Sequence, residues 1–301
     1  MTLSQRHITA GDLTPVTINT ESTYGTPNGV TTYYGDVAEG GRFTFQDTAN
    51  PYLAWRYGSR SFDPNDYVTR QKDAGFSAVL EVRDTAAWSR IITNAVGTGG
   101  TTSGDPLLPS RTESIYVKMG SNWKGRTYNG CKTNDLTIKA DTPGGIVTFE
   151  ETVMASKSEP STLIAALAVW TASSSAAAVQ WMNGITMNGN DIYPQSFQLR
   201  IQNNLERIRV PSAGTAITGS LLEGRRSIEF EADIWMEDLA DINSAMQNGT
   251  PGNVVITLGI DNPVTISLTG VRWMADSTHP DLIQDKQRQT LRLRAANISV
   301  V

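Results

Sequence analysis

The chain has 301 residues, 39% of them hydrophobic and 18% charged, with a formal net charge of −5. That length suffices for one large or two medium globular domains, and the charge argues against general adhesion to nucleic acid, which needs a basic surface. Cys131 is the only cysteine, which excludes an intramolecular disulfide and a cysteine-based metal cluster. The opening MTLSQRHITAGDL has no basic-then-apolar pattern, so secretion is not expected. The longest apolar run, Leu163–Trp170, is far too short to span a bilayer.

Residues 1 to about 45 are rich in Thr, Gly, Asn and Tyr and read as irregular or extended, with a short strand or two. Residues 46–73 read as a turn-rich loop around Asp63-Pro64-Asn65-Asp66. From Phe76 the pattern has period two. Phe76, Ala78, Leu80 and Val82 alternate with Ser77, Val79 and Glu81, which predicts a strand with one better-buried face. Asp84 is a good N-cap for the helix that follows; Trp88, Ile91, Ile92 and Ala95 form its apolar stripe, and Gly97 sits where a left-handed cap belongs. A polar loop over 98–111 precedes strands at Ser114–Met119, Asp135–Ala140 and Ile146–Met154, with turns at Ser121–Lys124 and Pro143-Gly144-Gly145. Ser156–Val179 reads as a linker with one short helix at Ser161–Trp170.

Beyond the linker come Ile185–Met187, the hairpin turn Asn188-Gly189-Asn190 and a strand at Ser196–Asn203. Arg226–Met236 is the clearest strand: Ile228, Phe230, Ala232, Ile234 and Met236 face one way, Glu229, Glu231, Asp233 and Trp235 the other. Leu239, Ile242 and Met246 stripe a second helix closed by Gly249-Thr250-Pro251. Strands at Val254–Leu258, Val264–Leu268 and Thr290–Ser299 follow, with a turn at Asp261-Asn262-Pro263.

The strand-then-helix segment of residues 75–97 reappears at 227–249, with Phe76 matched to Ile228 at an offset of 152 (228−76). IYVKMG, ending at Gly120, answers VVITLG, ending at Gly259, at 139 (259−120), and Gly130-Cys131 answers Gly270-Val271 at 140 (270−130). One β-rich fold encoded twice in tandem explains three similar offsets in one order, and doubling points to assembly rather than chemistry. The expected architecture is mainly β: two tandem β-sandwiches or half-barrels, each with one short flanking helix.

Candidates for chemistry are few. His7 and His279 lie in opposite halves and in expected loops, and read as solvated. Cys131 reads as a buried small hydrophobe rather than a nucleophile. Glu150-Glu151 and the series Glu229, Glu231, Asp233 could be paired carboxylates of a glycoside hydrolase. The latter three share one strand face at about 6.5–7 Å spacing, and read better as a polar face that lines something. Gly99-Gly100 and Gly144-Gly145 lack the Lys-Ser/Thr of a phosphate loop. Gly224-Arg225-Arg226 could meet phosphate or a carboxylate, the surface ion-pair donor being the plainer reading.

The run ITMNGNDIYPQSFQLRIQNNLERIR, then GRRSIEFEADIWMEDLADINSAMQNGTPGNVVITLG, resembles tail tube proteins of long, flexible-tailed bacteriophages and related viruses; NGCKTNDLTIKADTPGGIVTFEETVMA at Asn129–Ala155 resembles a strand pair of the same family. The likeness covers about two-thirds of the chain. It implies β-sandwich subunits with a flanking helix, closing into rings through shared sheets and stacking into a hollow tube for the genome. A doubled domain implies a homotrimeric ring of pseudo-six-fold symmetry. On this reading residues 1–155 and 180–301 are the two domains and 156–179 the linker. The protein is not an enzyme, uses no cofactor or metal, and sits in the virion tail after synthesis in the host cytoplasm. Its partners are itself, the tape measure, terminator and baseplate proteins, and genomic DNA in transit, with no membrane. Glu229, Glu231 and Asp233 are the expected lumen-lining residues. A baseplate or receptor-binding β-sandwich and a secretion-system tube remain alternatives.

Overall fold

The structure is a computed structural model that describes residues 16–27, 29, 32–37, 43–53, 67–82, 85–97, 107–119, 122–162, 184–212, 215–235, 251–259, 263–274, 281–283 and 286–300. Several expectations lie outside these residues: the second helix over 237–248, the linker helix beyond Thr162, the N-cap at Asp84, His7, His279, Gly99-Gly100, the Asp63–Asp66 turn, the Asp261-Asn262 turn and most of the loop over 98–111.

The first part of the chain runs β1 (Val16–Thr20), β2 (Thr32–Val37), β3 (Phe43–Phe45), β4 (Thr48–Leu53), β5 (Tyr67–Glu81), α1 (Thr85–Val96), β6 (Arg111–Met119), β7 (Asn122–Ala140), β8 (Thr148–Ala155) and β9 (Lys157–Thr162). The second runs β10 (Ile185–Met187), β11 (Asn190–Ile192), β12 (Ser196–Gln202), β13 (Glu206–Ser212), β14 (Thr215–Leu222), β15 (Ser227–Trp235), β16 (Gly252–Leu258), β17 (Val264–Trp273), β18 (Asp281–Ile283), β19 (Lys286–Ala295) and β20 (Asn297–Val300). The protein is mainly β, as its alternating patterns predict. The α1 stripe is fully used: Trp88, Ile91, Ile92 and Ala95 are all buried, and the Trp88 ring lies 6.4 Å from Phe149. Gly97 closes the helix at φ 76°.

Among the described residues the strands fall into four sheets. The first is β2–β1–β6–β7–β9, and another is β11–β10–β16–β17–β20. Between them a long sheet runs β3–β5–β8–β7–β12–β15–β19–β17, with the end of β2 also on β5 and β18 on β19. A smaller sheet, β4–β5–β14–β13, extends from the start of β5.

The order of partners in the first half recurs in the second. β7 leaves β6 at a bulge and continues along β8; β17 leaves β16 at a bulge and continues along β19. At each bulge stands a glycine with positive φ, Gly130 at 67° and Gly270 at 64°. Beside each, the strand opposite kinks: Ser156 donates its N–H to Asn129 O at 2.9 Å, and Ala296 to Thr269 O at 3.0 Å. Both equivalences are 140 residues apart (270−130, 296−156). With these matched, Phe76 opposite Val153 corresponds to Phe230 opposite Leu293, again 140 (293−153). Ile115 opposite Arg126 corresponds to Ile256 opposite Ile266 (266−126). Both matches sit two residues from the pairing drawn from sequence alone. Alternation has period two, so a slip of two keeps every residue on its own face and is invisible to it.

Other differences have local causes. β7 already begins at Asn122, opposite Met119 of β6, so it occupies Asn122–Lys124 of the stretch expected as a turn; Gly125 and Gly130, which look like breakers in sequence, lie within a long strand that changes sheets. The head of the expected linker is β9, paired with β7 from Lys157 opposite Asn129 to Thr162 opposite Lys124. Pro160 is tolerated there because no second strand pairs with β9 among the described residues. β4, the start of β5, β13 and β14 form in stretches whose sequence offers turn residues or no clean alternation. The Asn188-Gly189 hairpin forms as read, with positive φ at both residues.

The two halves meet where β7 pairs with β12, from Asp135 opposite Gln202 to Ala140 opposite Phe197. The helix end seals this junction. Arg226 Nη1 donates to Val96 O at 2.8 Å, Asn203 Nδ2 to Ala95 O at 2.9 Å, and Arg226 Nε to Asn203 Oδ1 at 2.8 Å. A cation thus meets the carbonyl end of α1. Gly224-Arg225-Arg226 accordingly turns inward at Arg226.

Inside the first half lies a buried ionic triad. Arg111, Glu113 and Glu151 are all essentially inaccessible. Arg111 bonds Glu113 through Nε, Glu151 through Nη2 at 2.5 Å and Thr133 through Nη1 at 2.9 Å. Tyr34 covers its guanidinium at 5.6 Å. Burial, with Glu151 adding to it against Arg111, pushes the Glu113 carboxyl up to about 8. One proton on Glu113 leaves the triad neutral. Burial likewise pushes the Cys131 thiol up, so the sole cysteine is an inert hydrophobe.

Three outcomes follow for stability. Trp88→Ala and Phe230→Ala should each cost about 3–5 kcal/mol by urea denaturation, since both side chains are buried; an unchanged midpoint would place them on the wrong face. Gly130→Ala and Gly270→Ala should each lose at least about 1–2 kcal/mol from backbone conformation alone. Overlap adds to this, because the new Cβ would lie 2.7 Å from Ser156 Cβ in one case and 2.8 Å from Ala296 Cβ in the other. Wild-type midpoints for both variants would refute the bulge argument. The pH response of this group has a definite sign: the folded chain holds the Glu113 proton more tightly than the unfolded one, so its contribution to stability is fully present below pH 4.5 and is lost as pH rises through about 8. The slope is up to about 1.4 kcal/mol per pH unit. Glu113→Gln should flatten that slope in thermal melts; identical slopes for variant and wild type would show that Glu113 is not the titrating group.

Candidate functional site

Alternation along β15 sends Ile228, Phe230, Ala232 and Ile234 into the core, each no more than 1% exposed. Glu229, Glu231 and Asp233 stand on the other face, together as the sequence predicts. Pairing then sets their neighbours. Glu229 lies between Arg200 on β12 and Arg294 on β19, Glu231 between Gln198 and Arg292, and Asp233 between Ser196 and Thr290.

Contacts follow the register. Arg294 Nη2 meets Glu229 Oε1 at 2.8 Å, and Arg292 Nε meets Glu231 Oε2 at 3.3 Å. Thr290 Oγ1 donates to Asp233 Oδ1 at 2.8 Å and Ser196 Oγ to Oδ2 at 3.1 Å. Arg200 turns to β7, where Nη2 meets Asp135 Oδ2 at 2.6 Å and Gln202 Nε2 joins it at 3.0 Å. Glu231 keeps 44% of its side chain in solvent and Glu229 32%, so the pairs are wet. Each is worth about 0–1 kcal/mol and mainly fixes where the charges point.

The same face continues across the long sheet. It carries Ser77, Val79 and Glu81 on β5, Glu150 and Thr152 on β8, and Asp135, Thr137 and Lys139 on β7, in register with Gln202, Arg200 and Gln198 on β12. Arg272 on β17 lies opposite Arg294. The surface is therefore a checkerboard of both signs rather than a purely acidic wall. The arginines were legible in principle: QLRIQ and TLRLRA each alternate an apolar residue with a polar one. They escaped because their partners are distant in sequence, and nothing local tells which strands lie side by side.

Two carboxylates poised for hydrolysis do not arise from this arrangement. Glu150 is exposed while its neighbour Glu151 is buried in the triad, so the two point to opposite faces. A shallow depression of about 240 Å³ lies over Gln198, Arg200, Glu229, Glu231, Met274 and Arg292, and its carboxylates are already engaged by arginine. Gly144-Gly145 is the β7–β8 hairpin turn, with Gly145 N–H on Thr142 O at 2.9 Å. Among the described residues no cluster of three or more His, Cys, Asp or Glu is placed to hold a metal ion, and no helix is long and apolar enough to cross a membrane.

A comparison with curated proteins finds no match to the chain. A family model described as phage tail tube protein matches residues 11–297, nearly the whole length, and the β-rich sandwich with one continuous polar sheet face suits it. The chain belongs to the phage tail tube family, as a structural protein of the viral tail.

Proposed function

We propose that three copies of this chain close into a ring of pseudo-six-fold symmetry, and that such rings stack into the hollow tail tube of a long, flexible-tailed virus. The observation that carries this reading is the recurrence of one order of strand partners in both halves, with Gly130 and Gly270 at matching bulges. Two equivalent units in one chain make a ring of three behave as a ring of six. The first unit extends through β9, which pairs with β7, and the second begins at β10. The protein acts by assembly with itself and with the tape measure, terminator and baseplate proteins. It performs no catalysis, needs no cofactor, and resides in the virion tail after synthesis in the host cytoplasm.

The polar face of the long sheet is the wall of the channel, with Glu229, Glu231 and Asp233 among the residues that line it. Genomic DNA passes without specific binding. Repulsion by carboxylates is one part of this, reaching about 8 Å at physiological ionic strength. The other part is that Arg292 and Arg294 are already held by Glu231 and Glu229, so neither offers a free guanidinium to a phosphate.

Negative-stain images of purified protein should show tubes or short ring stacks, and mass measurement of isolated rings should give three chains. Six chains would sink the pseudo-hexamer while sparing the tube. The triple variant Glu229→Gln, Glu231→Gln, Asp233→Asn should still assemble but retain double-stranded DNA at low salt, because it releases the arginines. If its tubes hold no more DNA than wild type at any salt concentration, these carboxylates do not line the path.

A further inference from the structure

β3 and β12 occupy the same place in their halves. Phe43 lies opposite Ala78 and Phe197 opposite Ala232; Phe43 stacks on Phe76 at 5.0 Å and Phe197 on Phe230 at 6.5 Å. Their surroundings differ on the other side. β12 has β7 as a second partner, which covers Leu199 completely. β3 pairs only with β5 among the described residues, and Phe45, which stands where Leu199 does, is 50% exposed. An Arg126 guanidinium lies 5.8 Å from its ring and covers part of it. An exposed aromatic on an open strand edge is what strand addition occupies.

The far end of the same sheet offers the complement. Asp281 on β18 faces Arg288 as Lys139 on β7 faces Thr148, positions 140 apart on the facing strands (288−148). β18 therefore stands where the end of β7 does, and it too pairs on one side only among the described residues. One joint of this kind, β7 with β12, is already made inside the chain; among the described residues the halves of a second stand unpaired at the two ends of the sheet.

We infer that β3 receives β18 of a second copy of this chain, antiparallel and in the register of the β7–β12 joint. That register puts Phe43 across from Leu282 and Thr44 across from Asp281, as Phe197 faces Ala140 and Gln198 faces Lys139. The contact is head-to-tail, so it repeats until the ring closes and leaves neither edge free. The inference rests on the ring reading above and names the seam that closes it.

Two variants test the seam. Phe45→Glu alters a half-exposed side chain, so it should fold with an unchanged melting temperature and remain monomeric at concentrations where wild type forms rings. Rings at wild-type yield from Phe45→Glu would overturn the inference. The double variant Thr44→Cys, Asp281→Cys, oxidised after assembly, should give an interchain disulfide ladder ending at the closed ring; Cys131 is buried and does not compete. Mixing the two single variants should give cross-linked dimers and nothing larger. Assembled tubes with no cross-link would overturn the seam and leave the tube function standing. Cross-linked closed rings that never stack would support the seam and sink the tube.

Discussion

A strand that must belong to two sheets at once is the constraint on which the rest depends. β7 and β17 each begin in one sheet and end in another, and an unbroken extended chain of L residues does not turn that corner. Gly130 and Gly270 turn it, in a conformation that a side chain resists. Their missing Cβ also admits the facing strand, where Ser156 or Ala296 approaches more closely than any side chain allows. Once the corner is turned, two apolar faces are folded onto one another and a single core forms between them. Glu21 secures the first corner: its carboxylate accepts the Gly130 N–H at 2.8 Å, the Gly25 N–H at 2.9 Å and the Thr112 hydroxyl at 2.9 Å.

The buried triad is not what holds that core. In the second half, the places of Glu113 and Glu151 are taken by Val254 and Leu291, both fully buried, with the same strand pairing around them. Taking ionised groups out of water is costly, and aliphatic side chains of similar volume often serve stability better. What the triad supplies is direction. An aliphatic strand slipped by two residues still buries an apolar face and loses only fit. Arg111, tied to β6, β7 and β8 by bonds of fixed geometry, makes the same slip leave charges unpaired.

The sequence exposed what is periodic and hid what is relational. Period-two alternation gives the β15 faces, helical spacing the α1 stripe and Asn-Gly turn chemistry the Asn188-Gly189 hairpin, because each signal lies within a dozen residues. Alternation aligned the two halves but set two of the matches one strand period away from the observed correspondence of strand partners, since parity carries no register. The glycines at 130 and 270 gave the correct offset and carried the positional information that alternation lacks. The Arg292–Glu231 and Arg294–Glu229 pairs stayed hidden because β15 and β19 are some 60 positions apart, and adjacency of strands is a property of the whole fold. β13 and β14 were missed for another reason: Pro211 and Gly219 break the expected pattern, although Gly219 is where Val210 packs against the bare backbone.

In the proposed ring, two units on one chain change the thermodynamics of assembly. Each association of free subunits costs on the order of 4–15 kcal/mol in lost translation and rotation. In a ring of three doubled chains, half of the joints are of the β7–β12 kind and form during folding, at the effective concentration set by the connecting segment. Only the remaining joints bear the association cost, and these can be smaller: β3 offers three residues where β12 offers six paired positions to β7. In that proposed arrangement the two halves are also free to differ. One unit can carry an ionic triad and an open aromatic edge while its counterpart carries an aliphatic core and a finished seam, a division that identical subunits in a ring of six cannot make.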